Sequence, residues 1–112
     1  MNTTTAPSPA LPARAPAAAL RVLRLLERLP RGQLTLELPD GQQLRLPQRP
    51  SDPDGPQASL RVHHWRLFER TLKAGDIGLA ESHIDGDWDS PDLAALLRLC
   101  IANRDHIEGL VY

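Results

Sequence analysis

A chain of 112 residues suits one small domain with a modest core, and with only four aromatic residues that core must rest largely on leucine. The formal net charge of −1 excludes a general nucleic-acid binder, which needs a basic surface to displace counterions, so no nucleic-acid partner is expected. One cysteine, Cys100, excludes an internal disulfide, and nothing demands an oxidising compartment.

The charge is unevenly spread. Residues 1–50 hold seven arginines against three acids, a balance of +4, whereas residues 51–112 hold six bases against eleven acids, a balance of −5. The basic front points to an anionic partner, and an anionic phospholipid or membrane surface fits better than nucleic acid because no aromatic side chains interleave the arginines. No run approaches the roughly twenty apolar residues that cross a bilayer. The N-terminus lacks the basic start and apolar core of a secretory signal, which makes a cytoplasmic location the expectation, peripheral to the inner membrane face if lipid is engaged. Arg14, Arg21 and Arg24, with no acid among the first 26 residues, keep a transit peptide as the competing reading.

Residues 1–16 are mostly Thr, Ser, Pro and Ala, with prolines at 7, 9, 12 and 16, and read as a disordered tail. Over residues 17–29 the pattern turns helical, with Val22, Leu25, Leu26 and Leu29 as an apolar stripe and Arg21, Arg24 and Arg28 at i, i+3, i+7. Pro30 and Gly32 stop it. This basic amphipathic helix either lies on anionic headgroups, with its arginines at the phosphate level, or covers a sheet with its leucines while the arginines face water.

Residues 33–38 alternate as a strand with Leu34, Leu36 and Leu38 on one face, Pro39-Asp40-Gly41 is a turn, and Leu44 and Leu46 return the chain as a hairpin. The segment 47–56 is too rich in proline and turn residues to be anything but an exposed loop. A third strand follows over residues 58–62, then a helix from about residue 63 with Trp65, Phe68 and Leu72 on one face, ended by Gly75. In the acidic stretch 75–89, residues 77–79 suggest one more short strand. Ser90-Pro91-Asp92 reads as a helix start, with the Ser90 hydroxyl as cap and Pro91 in the first turn. That last helix, to about residue 103, carries a stripe of Leu93, Leu96, Leu97 and Cys100. The order predicts an α+β domain, a small mainly antiparallel sheet covered by helices, preceded by the disordered tail.

Several chemical readings fail on their own spacing. Asp85, Asp87 and Asp89 alternate like the start of a calcium loop, but the sixth position is Ser90 instead of glycine and the twelfth is Leu96 instead of glutamate. His63, His64 and His83 with Glu81 lack the spacing of a metal site, and no metal is expected. The glycines at 75 and 78 have the wrong spacing for a dinucleotide loop and follow a helix where a strand is needed. Glu81 and His83 are two residues apart and more simply hold each other than act as an acid/base pair. The aspartates read as caps and turn formers, with Trp88 anchoring their loop into the core.

The residues WRLFERTLKAGDIGLAESHIDGDWDSPDLAALLRL, followed by Asn103-Arg104-Asp105, resemble the N-terminal domain of the cyclopropane-fatty-acyl-phospholipid synthase family. The matching positions are Gly75, Asp76, Gly78, Glu81, Ser82, Asp85, Gly86 and Trp88, whereas Ala80, His83 and Ile84 stand where the family pattern has glycine, tyrosine and methionine. The resemblance covers roughly the last half of the chain. It implies a lipid-engaging domain over residues 17–104, with residues 105–112 beginning a linker to a catalytic methyltransferase domain supplied in cis or in trans. That domain would bind S-adenosylmethionine and transfer a methylene to an unsaturated phospholipid acyl chain, with its cofactor motif lying beyond Tyr112. No catalytic residue and no cofactor of its own are therefore expected in this chain, which by itself would be inactive.

Candidate lipid contacts are Arg21, Arg24 and Arg28 for headgroups, and Trp65, Phe68, Ile77, Leu79, Ile84 and Trp88 for either the apolar interior or a lipid-facing surface. A homo-oligomer is compatible with the sequence. The alternative function is a protein-interaction module that docks on a separate methyltransferase domain without touching lipid. A weaker third reading, an independent acyl-lipid carrier, requires a cavity deep enough for an acyl chain.

Overall fold

The structure, a computed structural model, describes residues 15–111, so the tail expected over residues 1–16 falls almost wholly outside the described residues. Leucines spaced two apart build the sheet. In strand β1, Gln33–Glu37, and strand β2, Gln43–Leu46, the even-numbered leucines are buried and their neighbours face outward. The two pair antiparallel with Leu34 opposite Leu46 and Leu36 opposite Leu44, which is the hairpin the alternation predicts. Its turn holds together through the amide of Gly41 donating to the carbonyl of Leu38, and that of Gln42 to the Asp40 carboxylate.

The loop 47–56 then carries the chain back to the start of β1, so that strand β3, Gln57–Val62, runs parallel to β1 with Leu34 beside Ala58 and Leu36 beside Leu60. Strand β4, Trp88–Asp89, closes the order β2-β1-β3-β4 as an antiparallel partner of β3. Two of the three pairings are antiparallel, and one face of the sheet is apolar. On the other face Glu37 and Arg61, register partners, form an ion pair of 3.4 Å.

Four helices lie among the described residues: α1 Ala17–Leu26, α2 Arg66–Ile84, α3 Leu93–Ala102 and α4 Arg104–Val111. Ala19, Val22 and Leu23 of α1, Leu67 and Phe68 of α2, and Leu96 and Leu99 of α3 share one core with the leucines of the sheet. Helix α3 packs on β3, α1 packs on α2 and α4, and α2 packs on α4. The α+β architecture, a small mainly antiparallel sheet covered by helices, is thus what the chain adopts.

Three local expectations need correction. Residues 77–79 are not a strand: α2 continues past Gly75 as a second helical run, broken only by the φ of 62° and ψ of −135° at that glycine. The last helix begins two residues later than its Ser90 cap predicts, because the Asp92 carboxylate accepts from the amide of Ala95 while the Ser90 hydroxyl is drawn away to the carbonyl of Ser59 at 2.6 Å. Its buried stripe is also turned toward Leu96 and Leu99, leaving Leu93, Leu97 and Ile101 exposed. The helix is apolar around most of its circumference, so periodicity alone does not select a face. The segment 105–112, ambiguous from sequence, is helical through Val111.

Candidate functional site

The acidic, glycine-punctuated phrase GDIGLAESHIDGDWD, residues 75–89, forms a clasp closed by charge. Gly75 adopts a backbone conformation that residues with a Cβ avoid, and this bends α2 sharply. The second half folds back so closely that a Cβ on Gly78 would stand 2.1 Å from the carbonyl oxygen of Arg70. After Ile84 the chain turns through Gly86, at φ 80°, and brings Asp87 inward with only 1% of its surface exposed.

Two arginines on the first half of α2 meet it there. Arg66 Nε donates to Asp87 Oδ1 at 2.7 Å, and Arg70 Nη1 donates to Asp87 Oδ2 at 3.1 Å and to Asp85 Oδ2 at 2.8 Å. Burial pushes the Asp87 carboxyl up, but the hydrogen bonds from Arg66 and Arg70 outweigh it and hold the group below its ordinary value. Arg70 is in turn held more firmly protonated, chiefly by Asp85. The Asp87 main-chain carbonyl accepts from the amides of His63 and His64, at 2.7 and 3.1 Å, tying the clasp to the end of β3. Ser82 is fully buried beneath it, its hydroxyl without a well-aligned hydrogen-bond partner.

Trp88 is the clasp's anchor, 4% exposed, with its indole N–H donating to the carbonyl of Leu79 at 2.9 Å and the His83 ring against it at a centroid distance of 4.6 Å. The other histidines have local partners too. His63 Nε2 lies 2.6 Å from Asp89 Oδ2, and the His64 ring accepts from the amide of Arg66 at the start of α2. Among the described residues no three His, Cys, Asp or Glu side chains are grouped to hold a metal. Glu81 and His83 do not meet; His83 turns to Trp88, and both are exposed.

The candidate lipid contacts separate into two groups. Phe68 and Trp88 are core residues, and Trp65 and Leu79 pack against the core while half-buried, Trp65 beside Phe68 at 6.1 Å. These four serve the interior. Ile77 and Ile84, on the second half of α2, are 65% and 82% exposed and form a free apolar edge. Arg21, Arg24 and Arg28 are all exposed, and none forms an ion pair with a described residue. Asp76 and Glu81 are exposed as well.

Two features escape sequence reasoning. Asn103, 1% exposed, accepts from the amide of Arg31 and donates to the carbonyls of Arg31 and Leu99, joining the end of α3 to the entrance of β1 across 72 residues. An asparagine set directly after the apolar run of α3 is the one sequence signal that points to it. The second is a groove between α2, α3 and α4, bordered by Gly75, Leu79, Leu97, Cys100, Ile101 and Ile107, with a cavity volume of about 310 Å³. It exists because α2 bends at Gly75 and α4 folds back beside it, with His106 bonded to the carbonyl of Leu25 at 3.0 Å.

Comparison with protein-family models, with curated proteins and with solved structures gives no match to this chain. No described helix is long and apolar enough to cross a membrane.

Proposed function

We propose that this chain is the phospholipid-engaging domain of a cyclopropane-fatty-acyl-phospholipid synthase-like protein, acting at the inner membrane face in the cytoplasm. The observation that carries the reading is the exposed trio Arg21 and Arg24 on α1 and Arg28 in the turn just after it, since the helix expected over residues 17–29 ends at Leu26; all three are free of acidic partners among the described residues, in a chain of net charge −1. Three unneutralised guanidinium groups on one helix and the turn that ends it favour an anionic surface, each contributing on the order of 1 kcal/mol near acidic headgroups. The exposed Ile77 and Ile84 supply apolar contact to accompany them. In this reading the chain binds no cofactor. Methylene transfer from S-adenosylmethionine to the acyl chain belongs to a methyltransferase domain in cis or in trans, and this chain positions the lipid surface for it.

Co-sedimentation with anionic and with neutral phospholipid vesicles, at low and at physiological salt, tests the proposal. Salt-sensitive binding to the anionic vesicles, weakened about a hundredfold by changing Arg21, Arg24 and Arg28 to Gln, is the expected result. A folded protein that ignores both vesicles would overturn it. The second reading, docking on a separate methyltransferase domain without lipid contact, is favoured by the exposed row Leu93, Leu97 and Ile101 on α3, and it is what remains if vesicle binding fails.

A further inference from the structure

The groove between α2, α3 and α4 has a chemistry of its own. Its walls are aliphatic: Leu79 from α2, Leu97 and Ile101 from α3, Ile107 from α4, with Cys100 at its side. Among the described residues no aromatic ring lines it, so none of them stacks on a planar heterocycle there. Its polar groups are already engaged or lie at the rim. The Thr71 hydroxyl donates to the carbonyl of Leu67 at 2.8 Å, Arg104 pairs with Glu108 at 3.3 Å, and Asp76 is exposed. A sugar or a nucleotide would lose its hydration there without regaining hydrogen bonds.

Its size decides between a small ligand and a protein partner. The cavity of about 310 Å³ is at the small end of the range for bound ligands. Against the roughly 30 Å³ that one water takes in the liquid, it has room for on the order of ten water- or methylene-sized groups. A stable dimer, by contrast, buries about 800 Å² per partner over some 20–30 residues. Leu97 and Ile101 belong to the groove wall itself, and together with Leu93 they fall far short of a dimer interface of that size.

From this lining we infer that the groove holds one aliphatic chain of an amphiphile, end-in, with the polar head left outside at the charged rim formed by Asp76, Arg104 and Glu108. The inference deepens the lipid-engaging reading and rests on it for its biological context. A free fatty acid and the acyl chain of a phospholipid share the chemistry, and the test separates them.

Cys100, the chain's one cysteine, lies in the groove wall and is the natural reporter. The 112-residue protein is titrated with monoacyl phosphocholines of eight to fourteen carbons and with the matching fatty acids, all below their micelle concentrations. The reaction of Cys100 with an aromatic disulfide reagent is followed, together with the methyl NMR shifts of Leu97, Ile101 and Ile107. Saturable slowing of the thiol reaction by fivefold or more, with shifts in those methyls, is expected. Affinity should tighten about fourfold per added methylene and level off once the groove is full. Protection by both series assigns the site to the chain alone; protection by the phosphocholines only assigns it to the phospholipid. Leu97→Glu, at a half-exposed wall position, should abolish protection while the far-ultraviolet dichroism stays unchanged.

Absence of protection and of methyl shifts at every chain length, from folded protein, overturns the inference. If vesicles are still bound through the arginines, only the groove assignment falls. Protection without vesicle binding leaves the groove standing and removes the membrane-surface role instead.

Discussion

Asp87 concentrates most of the electrostatic risk in the domain. Its carboxylate is enclosed, and both its oxygens are held by arginines that are themselves partly in water, at 50% and 28% side-chain exposure for Arg66 and Arg70. Removing the carboxylate strands two cations beside a buried cavity, so Asp87→Ala should cost roughly 2–3 kcal/mol in urea unfolding, below the full price of breaking a wholly buried pair because the arginines stay solvated. The pH dependence follows from the sign of the shift. Because the folded-state pKa lies below the ordinary 3.8, the contribution is complete above that value and is lost as the pH falls through the lower, folded-state one. Urea midpoints of the wild type should therefore drop more steeply in acid than those of Asp87→Asn, and parallel curves would refute the assignment. Asn103 offers a second test at this scale. Asn103→Ala removes three hydrogen bonds and leaves the main chain of Arg31 without its partners, and a loss of about 2–3 kcal/mol is expected in the same assay.

At the scale of elements, α2 is the least ordinary piece. Gly75 and Gly78 serve different purposes three residues apart: one supplies the bend and the other the clearance that the bend requires. Gly75→Ala should cost on the order of 1–3 kcal/mol for a strained backbone. Gly78→Ala should cost more, about 3 kcal/mol or above, since its Cβ would meet main chain that cannot step aside. Thermal melts of the two variants should rank them in that order; a Gly78→Ala protein as stable as wild type would remove the close approach from the account.

The same helix shows what was legible in the sequence. The hairpin, the third strand, the start of α2 and the existence of α3 all follow from alternation or helical spacing, where each local signal agrees with the buried face. The run 77–79 misleads because Ile77 and Leu79 flank a glycine as a strand would, while the decision between strand and helix was made by the fold-back at Gly75. The Ser90 cap misleads because the hydroxyl has a better partner, Ser59, 31 residues away. Of the site, the anchoring role of Trp88 was readable. The pairing of Asp87 with Arg66 and Arg70, the bridge at Asn103 and the groove depend on contacts across the chain that spacing does not encode.

Across the whole molecule, α1, α2, α3 and the sheet share one core, and no described element has a separate one. Unfolding should accordingly be a single event. Tryptophan fluorescence, which reports Trp65 at the start of α2 and Trp88 on β4, and far-ultraviolet dichroism, which reports all the helices, should give the same urea midpoint. Two distinct midpoints would mean that α4 or α1 releases on its own. The basic residues of α1 and of the turn after it lie outside this cooperative core, so the triple change of Arg21, Arg24 and Arg28 to Gln should leave the midpoint within about 0.5 kcal/mol of wild type while altering lipid binding.

The strand order β2-β1-β3-β4 has one more effect, on how copies of the protein behave when crowded together. The two longest strands, of five and six residues, are inside, and the sheet is rimmed by strands of four and two. The longer rim ends at a proline, Pro47, and presents Gln43 and Arg45 to solvent. Little unpaired main chain is left for a neighbouring molecule to extend into a shared sheet, which guards against fibre formation without help from any partner.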